Sequence, residues 1–239
     1  PRGATMLVDA GPDERLVLSK LRDRGVRRLD LIVLTHPHAD HVDGLPSVVE
    51  RYASGRVLEA GLEAPLPALA RFRAAAAGKQ IPLDVVRRSA RYALGEAVVE
   101  ILGPATLLEG TDSDLNNNSV VMRIRFGASC VLMSGEVQED GQQALLDTRD
   151  PLHCPIMTVP HHGSKRMLPE YFHAVRPVVA MISVGARNDF GHPAGETLAV
   201  LHQLGVRVLR TDLMGDVSAA LRADGSVDTR AAHPEQPAA

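Results

Sequence analysis

The chain of 239 residues contains no tryptophan, and aromatic residues make up only 3% of it. Large rings therefore cannot build the interior. Ala, Val and Leu must fill it, as they do where helices pack on sheets. The same scarcity argues against base stacking as the main grip on a nucleic acid. No apolar run approaches the roughly 20 residues of a membrane span, and no signal-peptide pattern is visible. The chain itself is expected to be soluble. Only two cysteines occur, Cys130 and Cys154, each in or beside an apolar run. They read as small buried hydrophobes, since two thiols alone do not settle the redox compartment. An excess of positive charge is also missing. The formal net charge of −3 excludes a chain that is basic throughout, although bound dications would reverse the sign locally.

What is present is concentrated in the stretch from Leu31 to Gly44. Leu31, Ile32, Val33 and Leu34 show no polar alternation, the pattern of a strand buried on both faces. The run ends in His36, His38, Asp40 and His41, and a helical pattern resumes near Leu45. The polar cluster thus sits at the carboxyl end of a buried strand, where open α/β sheets bind ligands. His and Asp are donors for divalent transition metals. His36 and His38 are two apart and point the same way in an extended segment. Asp40 and His41 follow a turn and can hold a second ion. Two ions about 4 Å apart clamp a phosphate ester for hydrolysis. The competing reading is a histidine-rich surface turn. Four donors within six residues at the end of a buried strand weigh against it.

Other strand ends carry chemistry too. Asp9 closes a strand over residues 4–9, where it either orients a ligand histidine or caps the turn at Ala10-Gly11-Pro12. Asp13 caps a helix that Gly25 stops. Glu136 follows the apolar run Cys130–Met133. It either bridges two metals or sits at a helix N-terminus for the sake of the dipole. His161 and His162 end the run Ile156–Val159. Gly163 and Ser164 then let amides approach an anion, and Lys165 and Arg166 add positive charge. His192, beyond the strand at 178–184, is either a proton donor to a leaving oxygen or a packing histidine. Residues 1–229 are predicted to be one domain and 230–239 a frayed tail.

The set His36-x-His38-x-Asp40-His41, Glu136 and His161-His162-Gly163-Ser164 resembles the metallo-β-lactamase fold superfamily. Finer features resemble one branch, the hydrolase domain of ComEC-type DNA-internalisation competence proteins. These are Asn116-Asn117-Asn118-Ser119, Ser134-Gly135-Glu136, Ser183-Val184-Gly185 with Asn188 and His192-Pro193, and Arg210-Thr211-Asp212 with Gly215. The resemblance covers nearly the whole chain.

The resemblance implies an α/β fold, an αββα sandwich, with a dinuclear centre. The family's first strand precedes the stretch that Ala4–Asp9 matches, so this chain is expected to lack it and to be less stable or less active for it. By resemblance, His36 and His38 hold one divalent ion. Asp40, His41 and one of His161 and His162 hold the other, with Glu136 in the bridging position. The superfamily usually has Asp there. Many members have a His where Asn116–Asn118 stand, and an amide oxygen tilts the choice towards Mn2+ over Zn2+. Asp40, Ser164 and His192 are the candidate catalytic residues. Asp9, Asn118, Ser119 and Asn188 support the ligands, and Lys165 and Arg166 meet the substrate. The implied activity is metal-dependent hydrolysis of DNA, in particular single-stranded DNA, during uptake for natural transformation. The implied setting is the extracytoplasmic face of a polytopic bacterial membrane protein with a channel. The chain itself is expected to be monomeric and to grip DNA by its phosphates. Two other functions are open. One is a metallo-hydrolase of a small ester, lactam or phosphodiester. The other is a DNA-guiding module whose centre has decayed.

Overall fold

The computed structural model describes residues 3–222 and 225–233. In it, the run Leu31–Leu34 is a strand with every residue buried. Its missing alternation has a direct cause. Leu31 and Val33 pack into the apolar layer between two sheets, whereas Ile32 and Leu34 face a layer of helices. Burying each such side chain contributes about 1.5–3 kcal/mol.

The first half runs β1 (Met6–Val8), α1 (Glu14–Asp23), β2 (Arg28–Leu29), β3 (Leu31–Leu34), α2 (Ala39–Val42), α3 (Leu45–Arg51), β4 (Ala53–Ser54), β5 (Val57–Glu59), α4 (Pro67–Gly78) and β6 (Leu83–Val85). Strands β1, β3, β5 and β6 form a parallel sheet in the order β1-β3-β5-β6. Asp13 caps α1 as its sequence predicts, its carboxylate accepting from the amides of Arg15 and Leu16. Leu21 of α1, Val48 and Val49 of α3 and Phe72 of α4 cover the outer face of this sheet.

The second half runs β7 (Arg91–Leu94), β8 (Ala97–Gly103), α5 (Asp114–Asn117), β9 (Val121–Phe126), β10 (Ser129–Met133), α6 (Glu139–Asp147), β11 (Ile156–Thr158), α7 (Pro169–Val175), β12 (Val179–Ile182), α8 (Gly195–Gln203), β13 (Arg207–Arg210), α9 (Thr211–Met214), β14 (Val217–Leu221) and β15 (Val227–Ala231). Its sheet has the order β13-β12-β11-β10-β9-β8-β7. Strands β10 to β13 are parallel, and β7 to β10 are antiparallel. Val99, Ile101 and Met122 meet Leu31, Val33 and Leu58 between the sheets. Leu145, Tyr171, Phe172 and Leu201, from α6, α7 and α8, cover the far side. The layers are helix, sheet, sheet, helix, as expected. Among the described residues no helix is long and apolar enough to cross a membrane.

Two features depart from the sequence expectation. Cys130 and Cys154 are not free thiols but a disulfide. Cys130 lies on β10 and Cys154 just before β11, its parallel neighbour, and this pairing brings their Cα atoms to 5.1 Å. Also, β15 pairs with β14 as a hairpin. Residues 230 and 231, predicted to fray, belong to that hairpin, and the rest of the predicted tail from 234 lies outside the described residues. Along β1, the described residues place β3 on one edge and no strand on the other.

The disulfide closes a loop with a sequence separation of 24. Reduction, or the double change Cys130→Ala with Cys154→Ala, is expected to remove about 3 kcal/mol of stability. Urea unfolding with and without reductant measures it; an unchanged midpoint would show that the two sulfurs are not joined in solution.

Candidate metal centre

Strands β1 and β3 of one sheet, and β10, β11 and β12 of the other, deliver polar residues from their carboxyl ends to one rim of the sandwich. After β1 comes Asp9, held at φ 56°, in the left-handed region. Its two oxygens accept from the Thr35 amide and hydroxyl, each at 2.8 Å, and one of them also accepts from His41 Nδ1 at 2.8 Å. Of the two readings open for Asp9, the contacts are those of a residue that orients a histidine. The Thr35 carbonyl accepts from the Val120 amide at 2.9 Å and so joins the two halves at the rim.

Glu136 lies at the middle of the rim. Five imidazoles have a nitrogen within 4.0 Å of its carboxylate. One oxygen, Oε2, is 3.1 Å from His36 Nε2 and 3.7 Å from His38 Nδ1. The other, Oε1, is 3.1 Å from His41 Nε2 and 2.7 Å from His162 Nε2. Asp40 joins the second group, with Oδ2 at 3.2 Å from His162 Nε2. Two donor sets therefore share one carboxylate: His36, His38 and Glu136, and Asp40, His41, Glu136 and His162. The extra methylene of Glu relative to Asp does not keep the carboxylate from facing both.

The electrostatics follow from crowding. Burial works to raise the Glu136 carboxyl, but hydrogen bonds from His162, His36, His38 and His41 reverse this and hold it far below the usual carboxylate range. Burial works to lower His41, yet Asp9 and Glu136 push it up to about 11. His162 opposes the same burial and is pushed up to about 10 by Asp40 and Glu136. His36, almost wholly buried, is lowered. The centre thus gathers positive charge around one buried carboxylate, as protons on imidazoles. A divalent ion supplies that charge with better geometry and displaces those protons. The residues present fit two such ions.

The turn after β11 separates the two histidines that sequence leaves undecided. His161 and His162 both adopt left-handed backbone angles, φ 49° and 54°, at a cost of about 1–3 kcal/mol each. The turn splays their rings. His162 joins Asp40 and His41. His161 Nδ1 instead takes the Gln138 side-chain amide at 3.0 Å, and its Nε2 is 4.0 Å from Glu136. Gly163 follows at φ +81°, and a Cβ there would lie 2.6 Å from the Pro193 side chain. Only glycine lets the His192 loop close down on the histidine turn. The His192 ring is 5.5 Å from that of His161 and 6.5 Å from that of His162, and its Nδ1 is buried without a partner. Asn188 secures this loop: its amide donates to the carbonyls of Gly185 and His192 and accepts from the His192 amide. A cavity of about 350 Å³ adjoins the centre on the side of Asp40, His41 and His162, walled by Val8, Met133, Met181 and Val217.

Other predicted residues are placed differently. Ser119 supports Glu136, its hydroxyl accepting from the Glu136 amide at 3.1 Å. Asn118 does not turn towards the centre; its amide clips the backbone of Leu108 and Asp114. The Ser164 hydroxyl is buried and accepts from the Arg166 amide. Arg166 is committed to ion pairs with Asp112 and Glu139, whereas Lys165 stays exposed. Two contributors escaped the sequence reading, Thr35 and Gln138. Their position, one residue before and two residues after a donor at a strand end, was the available signal.

Comparison with known proteins gives the family and the fold. The model of the metallo-beta-lactamase superfamily matches residues 1–168. ComE operon protein 3 of Bacillus subtilis (strain 168) is 26% identical over 206 residues, 85% of this chain and 26% of that protein. Competence protein ComA of Neisseria gonorrhoeae is 28% identical over 211 residues, 87% of this chain and 28% of that protein. The chain thus spans about a quarter of the length of these relatives. Among solved structures, a metal-dependent hydrolase of the beta-lactamase superfamily shares the fold with a TM-score of 0.56 at 14% identity, covering 86% of this chain and 85% of that one.

Metal analysis of the purified chain is expected to find about two divalent ions. His38→Ala should leave about one, because the set around Asp40 keeps its donors. Glu136→Ala should leave fewer than one, because both sets lose their shared oxygen donor. Equal metal content in all three proteins would overturn the shared-carboxylate arrangement.

Proposed function

The chain belongs to the metallo-beta-lactamase superfamily, and on that footing we propose that it is a metal-dependent phosphodiesterase that degrades single-stranded DNA during DNA uptake. The observation that carries the reading is the division of the Glu136 oxygens between two donor sets at an open rim. The names of the relatives, a competence protein and a com-operon protein, supply the biological direction. In this reading His36 and His38 hold one ion, and Asp40, His41 and His162 the other, with Glu136 between them. Bound there, two ions would supply Lewis-acid charge for the phosphate oxygens and an activated water for the attack. Imidazole-rich sets with two carboxylates accept either Mn2+ or Zn2+. Because Asn118 spends its amide on backbone, it adds nothing to the case for Mn2+.

The chain's own residues do the rest. Asp9, fixed by Thr35, keeps His41 turned towards Glu136. Gln138 does the same for His161. In this reading His192, when protonated, gives a proton from Nε2 to the leaving oxygen; burial and then His162 lower its pKa, so it holds that proton less tightly than a free imidazolium does. Lys165, exposed beside the histidine turn, is free to meet a phosphate, a role Arg166 cannot share while held by Asp112 and Glu139. The Cys130–Cys154 disulfide supports an oxidising compartment and so a place outside the cytoplasmic membrane. The greater length of the relatives supports a larger parent, and the proposal puts a membrane channel in its remainder.

Single-stranded DNA with added Mn2+ or Zn2+ should be degraded, degradation should stop with a chelator, and Asp40→Ala should slow it by about two orders of magnitude or more. Gel analysis of an end-labelled oligonucleotide reads the outcome. Two bound ions with no cleavage, but turnover of a small ester, would replace DNA by a small-molecule substrate.

A further inference from the structure

The loop that carries His192 also carries Phe190. Among the described large apolar side chains it is the most exposed, at 83%. It is not a stray side chain on a loose tip. Its ring stacks on that of His192, with centroids 6.1 Å apart and planes 18° from parallel. His192 in turn touches the ring layer of His161 and His162. The loop is anchored at both ends of this stack. Asn188 pins it from within, and Pro193 sits on Gly163 while the Ala194 amide donates to the Gly163 carbonyl at 2.8 Å. A flat apolar surface is therefore held one ring beyond the histidines of the centre, in an offset stack with His192 and open to solvent over most of its area.

We propose that Phe190 is a stacking platform for the nucleobase next to the phosphate being cut. The proposal rests on the nuclease reading of the centre and adds its selectivity. A base can lie on this ring only if it has left its own stack, so the platform favours unpaired strands over duplex. Every base has such a face, so it does not select sequence. Arg187, exposed and three residues before Phe190, can track the backbone while the ring takes the base. The low aromatic content of the chain leaves this as a single local grip rather than a row of them.

The absence of tryptophan gives a clean probe, because Phe190→Trp introduces the chain's only indole. A phosphorothioate oligothymidylate is titrated into the metal-loaded protein. Its affinity should fall roughly tenfold in Phe190→Ala and return in Phe190→Trp, whose emission should be quenched as the strand binds. A strand of the same length made wholly of abasic sites should bind the native protein and Phe190→Ala alike and leave the emission unchanged. Metal content and circular dichroism confirm that the variants are folded and loaded. If the native protein binds the oligonucleotide and Phe190→Ala binds it equally, or if the Trp emission ignores saturating strand, the platform is overturned and the nuclease reading stands. If the native protein binds neither strand, both fall.

Discussion

The carboxylate of Glu136 is buried, and burial alone would make it neutral. It remains an anion because imidazoles from two separate segments, residues 36–41 and the turn at 161–162, face their nitrogens towards it. That mutual requirement organises the rim. Remove the carboxylate, and His41 keeps only Asp9, and His162 only Asp40, as the carboxylate that raises it. Remove the histidines, and a buried charge is left with nothing to offset its desolvation, a cost of several kcal/mol. The same concentration of donors around one carboxylate is well suited to dications, which take the place of the protons.

The fold makes the knot possible by geometry rather than by sequence proximity. The donors come from residues 36 to 41, from 136 and from 162, and no local segment could assemble them. Parallel pairing does it, because β10, β11 and β12 all end at one rim, as do β1 and β3. The backbone then departs from ordinary angles where the ligands need it. Asp9, His161 and His162 all have positive φ. Gly135, also at positive φ, passes so near Ser119 that a Cβ would come within 2.7 Å of that side chain. Strain of this kind persists only where the surrounding structure over-determines it. Here the Asp9–Thr35 contacts and the seat of Pro193 on Gly163 supply that support.

Much of this was legible beforehand. The run Leu31–Leu34 announced a strand covered on both sides, and the donors that follow it announced a metal-type cluster. An Asp cap and a glycine stop marked α1. What stayed hidden depended on distance in sequence or on backbone angles. Nothing in Cys130 and Cys154 says that their strands are neighbours. The rings of His161 and His162 separate only because both residues are left-handed. Arg166 reads as a free cation until folding brings Asp112 and Glu139 against it. Asn118 reads as a ligand's companion until its amide is seen closing its own loop.

The disulfide has a meaning for the rim as well as for the fold. Cys130 stands at the start of the strand that leads to Glu136, and Cys154 just ahead of the strand that leads to His161 and His162. The bond therefore fixes the register of two neighbouring tracks whose far ends must meet within hydrogen-bonding distance. In an oxidising compartment the carboxylate and its histidines are aligned before any ion arrives. In a reducing one the same side chains would have to find that alignment during capture. Oxidation of two residues remote from the chemistry thus sets how preorganised the centre is.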